Sequence, residues 1–552
     1  MERPNHWITR TADRVIKRVL RDPEKGEGAT IVCASGVSPS GPIHLGNLRE
    51  VMTVHLVTEE LRLRGWNAVH IHSWDDFDRL RKVPAGVPPE FAEHVGRPLA
   101  DIPDPGGEYE SYAARHMHDF EAAAARLGLA PRYIRQSQAY RAGTYLDLIK
   151  KAIRHRHQIF DVLAQFQDAE RHEGTVEERR GTYYPFKVYC ENCHRDTTVI
   201  EAYAEPTAFL EYRCATCGHR GAFSLDDKVE GKLVWKVDWP MRWTFETVDF
   251  EPGGEDHSSP GSSFDVGKKI IRDIFGRQAP DYVGYAFVGI AGRSKISSSA
   301  GTTATPRAAL DILEPAMIRW LYIRRDPGQA FAIDFGQEVV RLYDEWDTFR
   351  NRALTGKANP AEAYVYQLCV RTSAGDVLHT KGTVPFRLLS SAADLTQSNR
   401  PQILRIVSQH LGDAPQEELA ETLEPRLTCA IHWVEDYFPD DERTKVKPAF
   451  DTASYEALGE EEKKAIGLLL ERLDESAWSL EGLTRLVYGI PKLVHGLDLD
   501  APPTQEIKDA QRRFFIALYT LLVGSDTGPR LPTLFLSLGL DRVRELLGGR
   551  RS

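Results

Sequence analysis

The chain has 552 residues, of which 42% are hydrophobic and 27% charged, and its formal net charge is −10. This composition excludes fibrous and intrinsically disordered proteins, and the length predicts three or four domains. No apolar run reaches the roughly 18 residues that span a bilayer, and the first residues lack an apolar signal core. We therefore expect a cytoplasmic protein that has no membrane or DNA partner.

The first part of the chain predicts a β-α-β unit. Residues 29–34, ATIVCA, form an apolar strand, the turn GVSPSG follows, and residues 45–65 form an amphipathic helix that ends at Gly65. A second strand, AVHIHSWDD at 68–76, has its two acids at the carboxyl end. This order predicts a parallel, Rossmann-like sheet, whose ligand site lies at the carboxyl ends of the strands.

The turn before the first helix, PSGPIHLGN at 39–47, is the most informative segment. His44 and Asn47 lie three residues apart at a helix start, so both side chains can donate to phosphate oxygens. Gly46 between them would let a nucleotide approach the backbone. The segment therefore predicts a nucleotide site.

A basic segment follows between residues 132 and 157. It carries seven cations against the single acid Asp147. These cations are Arg132, Arg135, Arg141, Lys150, Lys151, Arg154 and Arg156. The segment is either a solvated helix face or a set of phosphate contacts, and the pattern alone favours neither.

Four of the seven cysteines have metal-ligand spacing. Cys190 and Cys193 form one CxxC pair, and Cys214 and Cys217 form a second pair after twenty residues. Each pair can bind one side of a tetrahedral ion, and the segment between them is long enough to form a hairpin. We expect a structural Zn²⁺ site in an insert, with no open coordination position for catalysis.

A second loop could belong to the same nucleotide site. Residues 282–290, YVGYAFVGI, predict a late strand, and AGRSKISSSAGTT follows at 291–303. Its lysine and hydroxyl residues could hold a triphosphate or form a solvated linker. From Thr305 and Pro306 to the end, apolar residues recur at helical spacing, which predicts an all-helical region.

These motifs resemble class I aminoacyl-tRNA synthetases: PSGPIHLGN is similar to their HIGH motif and KISSS to their KMSKS motif. More narrowly, the chain resembles the class I lysyl-tRNA synthetases of archaea and some bacteria. The quoted likeness extends over residues 34–539. Its segments are ASGVSPSGPIHLGN, WDDFDRLRKVP, YPFKVYCENC, LVWKVDWPMRW, DFEPGGEDHSSPGSSFD and GPRLPTLFLSLG.

The resemblance implies an α/β fold with a Rossmann-like parallel-sheet catalytic domain, a zinc-ribbon insert and an all-α C-terminal region. We expect the first catalytic half at 1–140, the insert at 141–230, the second catalytic half at 231–304 and a helical anticodon-binding region at 305–552. The implied partners are L-lysine and tRNA(Lys), and we expect a monomer.

The implied reaction joins lysine to the α-phosphate of ATP, with Mg²⁺ on the triphosphate, and then transfers the lysyl group to the tRNA. The expected catalytic residues are His44, Asn47 and Lys295. The expected ATP contacts are Pro39, His44, Gly46, Asn47, Asp256, His257, Lys295, Ser297 and Ser299. A carboxylate such as Asp256 can accept hydrogen bonds from ribose hydroxyls.

Lysine needs acceptors for two ammonium groups and apolar walls for its stem. By family likeness, the expected amino-acid contacts are Gly36, Ser38, Asp75, Asp76, Trp235 and Asp238. The spacing leaves open whether Trp235 or Trp239 is the wall, and whether Asp238 accepts the ε-ammonium or supports another residue.

One position departs from the family pattern, because Ser298 stands where KMSKS has its second lysine. Arg293 could supply the missing charge. Three alternatives stay open: a class I synthetase for glutamate or arginine, a nucleotidyltransferase, and a synthetase-like RNA-binding protein whose catalytic site is disabled.

Overall fold

The computed structural model describes residues 3–26, 28–84, 86–166, 175–259, 261–291, 304–373, 384–411, 414–474 and 477–548. The strands are β1 Ile31–Val37, β2 Ala68–Trp74, β3 Arg132–Arg135, β4 Phe186–Val188, β5 Thr198–Ala204, β6 Phe209–Cys214, β7 Arg220–Ser224, β8 Gly231–Leu233, β9 Gly253–Gly254, β10 Gly284–Tyr285, β11 Val288–Ala291 and β12 Phe331–Asp334.

The helices of the first 300 residues are α1 Trp7–Arg21, α2 Leu45–Leu63, α3 Tyr112–Arg126, α4 Gln136–Arg141, α5 Leu146–Arg154, α6 Arg156–Ala164, α7 Val176–Thr182, α8 Trp235–Phe245, α9 Glu255–Ser258 and α10 Ser263–Ile270. The later helices are α11 Pro306–Ile312, α12 Pro315–Ile323, α13 Glu338–Leu354, α14 Pro360–Cys369, α15 Phe386–Leu395, α16 Arg400–His410, α17 Gln416–Thr422, α18 Arg426–Asp436, α19 Thr452–Glu456, α20 Glu460–Arg472, α21 Leu480–Val494, α22 Gln505–Val523, α23 Leu531–Leu538 and α24 Leu540–Gly548.

The catalytic sheet is parallel, as the β-α-β pattern predicts. Strands β1, β2 and β3 pair side by side in parallel. Beyond β1, Phe250 makes parallel bridges to both Cys33 and Asp281, and the chain then continues into the parallel pair β9 and β10. The carboxyl ends of these strands lie at one edge, where a parallel sheet binds ligands. The expected α/β, Rossmann-like class is confirmed.

The first strand and helix differ slightly from the predicted bounds. β1 begins two residues later than expected and extends to Val37, so Gly36 belongs to the strand and not to the turn. α2 begins at Leu45 as expected and is buried on nearly all sides. Helices α1 and α12 pack on it, and Arg49 donates hydrogen bonds to the carbonyls of Asp326 and Pro327. α2 is therefore a rigid base for the turn before it.

The predicted late strand 282–290 is divided into two short strands. β10 pairs with β9, whereas β11 pairs in parallel with β12, so the chain changes partners at Ala286 and Phe287. Apolar periodicity does not detect such a change, because both partners bury the same kind of side chain. In the described residues after 304 the regular elements are helical apart from β12, which pairs with β11, so the expected helical character of the C-terminal region is confirmed.

The cysteine-containing insert forms a small antiparallel module. β5, β6 and β7 form its sheet, and the segment between the two cysteine pairs folds back as the expected hairpin. β4 enters the module and β8 leaves it, and these two strands pair antiparallel at its base. The hydroxyl of Tyr189 donates to the carbonyl of Phe77 at 2.6 Å, which joins the module to the loop that follows β2.

Most cations of the basic segment at 132–157 are paired with neighbouring acids. Five of its cations make ion pairs: Arg132 with Glu246, Arg135 with Glu110, Arg141 with Asp101, Lys150 with Asp226 and Arg154 with Glu205. Lys151 and Arg156 donate to backbone carbonyls. The segment is therefore a surface of paired charges, which is a weaker phosphate-binding surface than its composition suggests. In the described parts of the chain, no helix combines the length and apolar character needed to cross a membrane.

Candidate active site

The turn that begins α2 presents its polar side chains at the edge of the sheet. His44 is the exposed residue before the helix, and its backbone N–H donates to Oδ1 of Asn47 at 3.2 Å. This bond fixes the carboxamide and leaves its NH₂ as a donor. Partial burial of the imidazole lowers the pKa of His44, so it is a neutral donor at pH 7. Both predicted phosphate donors therefore lie at one helix N-terminus.

Glycine at position 46 leaves room for the imidazole of His44 where it lies in this structure. A Cβ at residue 46 would lie 2.7 Å from both Nδ1 and Cε1 of His44, which is closer than non-bonded atoms approach. The same position lies 3.8 Å from the carbonyl oxygen of Val288 in β11, and the N–H of Leu45 donates to the carbonyl of Ala304 at 3.0 Å. The chain therefore leaves β11 and returns at Ala304 beside the start of α2.

The predicted loop residues Lys295, Ser297 and Ser299 lie outside the described residues, as do Arg293 and Ser298. Val288 and Ala304, which flank this segment, both lie beside the turn that contains His44. The two ends of the segment are therefore known, and its contacts remain a prediction.

Glu50 is a carboxyl group that the sequence patterns did not single out. It lies on α2 one turn after Asn47, accepts a hydrogen bond from the N–H of Gly36 at 2.7 Å, and accepts a second from the hydroxyl of Tyr285 at 2.7 Å. Burial raises the pKa of Glu50 to about 8, against the opposing effect of these two bonds. No Lys, Arg or His ion pair to Glu50 is found in the described part of the chain.

Asp75 is held by two cations. It follows β2, and its Oδ1 lies 2.9 Å from Nη1 of Arg242 and 3.6 Å from Nζ of Lys232. Burial opposes ionisation of Asp75, but the two cations outweigh it and lower the pKa. Oδ2 lies 4.0 Å from the position that a Cβ on Gly36 would occupy. Asp75 and Glu50 therefore approach Gly36 from two sides.

The other two predicted carboxylates are occupied by protein groups. Asp76 accepts hydrogen bonds from the N–H of Ser137 at 2.8 Å and from the Ser137 hydroxyl. Asp238 is fully buried in α8, accepts from the Tyr140 hydroxyl, and lies 3.3 Å from Nε of Arg242. These contacts tie Asp76 to α4 and Asp238 to Tyr140 and Arg242, and contact of either carboxylate with the amino acid stays a prediction.

A stack of aromatic rings borders the same edge of the sheet. Trp235 and Trp239, one turn apart on α8, stack with ring centroids 5.2 Å apart and planes at 16°. His257 lies 6.0 Å from the first ring and 5.7 Å from the second. Trp235 is half-buried, whereas Trp239 is only 3% exposed and donates to Glu251 at 2.9 Å. Trp235 is therefore the more accessible of the two rings, and its role as a wall for the substrate stays a prediction.

The GGEDH segment forms the neighbouring border. β9 contains Gly253 and Gly254, and a Cβ on Gly254 would lie 2.6 Å from Oδ1 of Asp256. The Asp256 side chain is 62% exposed and lies 3.7 Å from Nε2 of His257. An exposed carboxylate can accept hydrogen bonds from ribose hydroxyls, and the contacts of Asp256 and His257 with ATP stay a prediction. Of the other predicted contacts, Gly36 and Ser38 are half-buried and Pro39 is buried.

The four cysteines converge in the insert as predicted. Ligand atoms of Cys190, Cys193, Cys214 and Cys217 all lie within 4.8 Å of one another. Sγ of Cys190 lies 3.7 Å from that of Cys217, and Sγ of Cys193 lies 3.6 Å from that of Cys214. Zn–S bonds of about 2.3 Å in a tetrahedron place sulfurs about 3.8 Å apart, whereas a disulfide needs about 2.05 Å. The cluster is consistent with a structural Zn²⁺.

The residues that sequence reasoning missed are those whose partners are distant in the chain. Glu50 bonds to Tyr285 across 235 positions, and Arg242 reaches Asp75 across 167. Lys232 is 6% exposed, although lysines are rarely so buried. One signal was available for Glu50, since an acid in the apolar helix LREVMTVHLV is unusual and lies one turn after Asn47.

Comparisons with known proteins agree with the motifs. The model of the family described as tRNA synthetases class I (K) matches residues 5–372. A lysine–tRNA ligase of Streptomyces coelicolor is 45% identical over 98% of both chains, and one of Pyrococcus horikoshii is 32% identical over 97% of both. A solved glutamate tRNA ligase from Elizabethkingia meningosepticum covers 94% of this chain and 98% of its own at 13% identity, with a TM-score of 0.42. The chain belongs to the class I (K) family of tRNA synthetases.

Proposed function

We propose that this chain is a lysine–tRNA ligase, which activates L-lysine with ATP and transfers the lysyl group to the 3′ end of tRNA(Lys). The observation that carries the proposal is 45% identity over 98% of both chains with a lysine–tRNA ligase. The charge of the site agrees with it, because Glu50 and Asp75 offer two carboxylates to a substrate with two ammonium groups. The glutamate side chain would need a cation where the Glu50 carboxyl lies.

Each ammonium group has its own acceptor in this proposal. The α-ammonium lies at Oδ2 of Asp75 beside Gly36 and Ser38, and the ε-ammonium takes Glu50, which lacks an ion-pair partner in the described chain. Tyr285 and the N–H of Gly36 orient the Glu50 carboxylate. The half-buried Trp235 provides a wall for the apolar stem. Asp76 and Asp238 act through Ser137 and Arg242 and do not touch the substrate.

In the first step, the lysine carboxylate attacks the α-phosphate of ATP, the bond to the β-phosphate breaks, and pyrophosphate leaves. His44 and Asn47 donate to the phosphate oxygens, where charge develops in the transition state. Gly46 and Pro39 lie under the nucleotide, and Asp256 with His257 receive the ribose and base. Lys295, Ser297 and Ser299 hold the pyrophosphate from the second loop.

Mg²⁺ supplies charge neutralisation on the triphosphate when it is bound, with few protein ligands. In the second step, a terminal ribose hydroxyl of the tRNA attacks the lysyl carbonyl and AMP leaves. The helical region from residue 305 binds the tRNA, and the Cys₄ module holds a structural Zn²⁺ that takes no part in either step.

Amino-acid-dependent ATP–pyrophosphate exchange tests this proposal across the twenty amino acids. We expect exchange with lysine alone. Exchange with arginine or glutamate would replace the proposal with another class I specificity. Absence of exchange with every amino acid, together with tRNA binding, would favour an RNA-binding protein with a disabled site.

A further inference from the structure

Lys232 links the Cys₄ insert to the carboxylates of the catalytic sheet. It lies on β8, the strand by which the chain leaves the insert, and it is only 6% exposed. Its Nζ contacts Oδ1 of Asp78 and lies 3.6 Å from Oδ1 of Asp75 and 3.5 Å from Oδ2 of Asp238. A cation so buried is stable only among carboxylates, and here it has three.

The charges of this cluster do not balance. Asp75, Asp78 and Asp238 are three carboxyl groups, and Lys232 and Arg242 are two cations. Burial raises the pKa of Asp78, and when all three carboxyls are ionised one negative charge is left without a cation, which is unfavourable in a buried environment. An added cation at this cluster would therefore be bound favourably.

The geometry indicates where that added cation would lie. Both protein cations contact Asp75 through Oδ1, which leaves Oδ2 directed towards Gly36 at the edge of the site. Lys232 and Arg242 together fix the rotation of the carboxylate. Without Lys232, the cluster would gain negative charge and Asp75 would lose one of its two anchors.

Lys232 is itself held by the insert. β8 pairs with β4, and β4 leads within two residues to Cys190. The loop that carries Asp78 is bound to the same module, because the N–H of Asp196 donates to the carbonyl of Gly96 and Arg79 pairs with Asp196 at 3.1 Å. The lysine and its closest carboxylate partner are therefore both placed by the insert.

We propose that Lys232 is a positioning residue for amino-acid recognition, which anchors Oδ1 of Asp75 so that Oδ2 receives the α-ammonium of the substrate. The insert thereby contributes to the amino-acid site through its exit strand. This inference rests on the proposed function, because it assumes that the protein binds an amino acid whose α-ammonium lies at Asp75.

Lys232→Met tests the inference by removing the charge while keeping a flexible apolar side chain. In ATP–pyrophosphate exchange, we expect the KM for lysine to rise roughly 10- to 50-fold, with kcat and the KM for ATP changed by less than about threefold. Lys232→Arg keeps the charge, so its KM for lysine should rise much less. On a logarithmic scale, the rise should be at most half of that in Lys232→Met. Lys228→Met, on the exposed side of the same insert, is the matched control and should behave as the wild type.

A purely structural role predicts a different pattern. It would lower the melting temperature and kcat without a selective change in the KM for lysine, and that result would overturn the inference. If Lys232→Met does not fold, Asp78→Asn removes the closest partner of Lys232 and should also raise the KM for lysine selectively; an unchanged KM there would overturn the inference. Absence of lysine-dependent exchange in the wild type would instead overturn the proposed function, and the inference with it.

Discussion

Two acidic regions lie on either side of Gly36, and they are stabilised differently. Around Asp75, three carboxylates are paired with Lys232 and Arg242, and the pKa of Asp75 is lowered despite its burial. Among the described residues, Glu50 is held by the neutral donors Gly36 and Tyr285 without a cation, and burial raises its pKa to about 8.

The difference has a functional meaning. A carboxylate that is neutralised within the protein stays in place with or without a ligand, and so serves as a fixed anchor. A carboxyl that lacks an internal cation is ionised most favourably when a ligand brings one. Lysine brings two cations, and we infer that Glu50 discriminates for its side chain while Asp75 holds the group common to all amino acids.

Glu50→Gln gives the largest expected effect. Glutamine keeps one oxygen that can accept from the N–H of Gly36, and its NH₂ can donate to the Tyr285 oxygen, but it removes the charge. We therefore expect the KM for lysine to rise roughly a hundredfold or more, equivalent to about 3 kcal/mol. Steady-state ATP–pyrophosphate exchange measures this change, and the KM for ATP should stay within about twofold. Glu121→Gln is the matched control, because Glu121 also accepts from a neutral donor, the indole of Trp74. Equal effects in both variants would contradict the role of Glu50.

The same variant should stabilise the lysine-free protein. The folded pKa of Glu50, about 8, lies above its ordinary value of 4.5, so the folded state retains a proton that the unfolded state loses. The contribution of Glu50 to the free energy of unfolding therefore falls as the pH rises from about 4.5 to 8. Glu50→Gln should raise the melting temperature at pH 8 and leave it nearly unchanged at pH 4. A fall at pH 8 would show that the carboxyl stabilises the free protein.

Asp75→Asn tests the carboxylate that is paired with Lys232 and Arg242. It should change amino-acid specificity less than Glu50→Gln does. Arg242 and Lys232 would lose one of the negative charges that neutralise them, and the α-ammonium would lose its hydrogen-bond acceptor. We expect a loss in kcat/KM for lysine of roughly 30-fold, or about 2 kcal/mol. Because the α-ammonium is common to all amino acids, discrimination between lysine and arginine should not change. A selective gain of arginine exchange would reverse the roles assigned to Asp75 and Glu50.

The contrast between these two regions also explains what the sequence could predict. His44, Asn47 and Asp75 lie beside a strand-turn-helix pattern or at a strand end, where local periodicity and turn residues are informative. The four cysteines are recognised by spacing alone. Lys232 and Arg242 are recognised only when partners far apart in the chain meet, because a charged residue in a helix or strand is ordinarily solvated. For Glu50 the sequence offers one local signal, an acid in an otherwise apolar part of α2, but not its partners. The sequence also predicts one strand over 282–290 where the structure has β10 and β11. The reason is related, because the division depends on which strand each half pairs with.

The pH dependence of lysine binding is a further test. Free Glu50 is mostly protonated at pH 7, and an ammonium ligand requires its carboxylate, so binding releases a proton below pH 8. The ε-ammonium, with a pKa of about 10.4, keeps its charge over this range. The KM for lysine should therefore rise roughly tenfold for each pH unit below about 7.5. Glu50→Gln should remove this slope, whereas Asp75→Asn should retain it; a flat wild-type profile between pH 6 and 7 would contradict the raised pKa.

Asp76→Asn has the smallest expected effect on recognition and marks the limit of the acidic region. Asp76 is the immediate neighbour of Asp75, but its oxygens accept from the N–H and hydroxyl of Ser137, at the start of α4. Asparagine can still accept one of these bonds, so we expect a loss of stability of about 1 kcal/mol and a change in the KM for lysine below threefold. Thermal unfolding and exchange kinetics on the same preparations separate the two quantities. A change in KM as large as that of Asp75→Asn would mean that recognition depends on the summed charge at the strand end, and not on the orientation of one carboxylate.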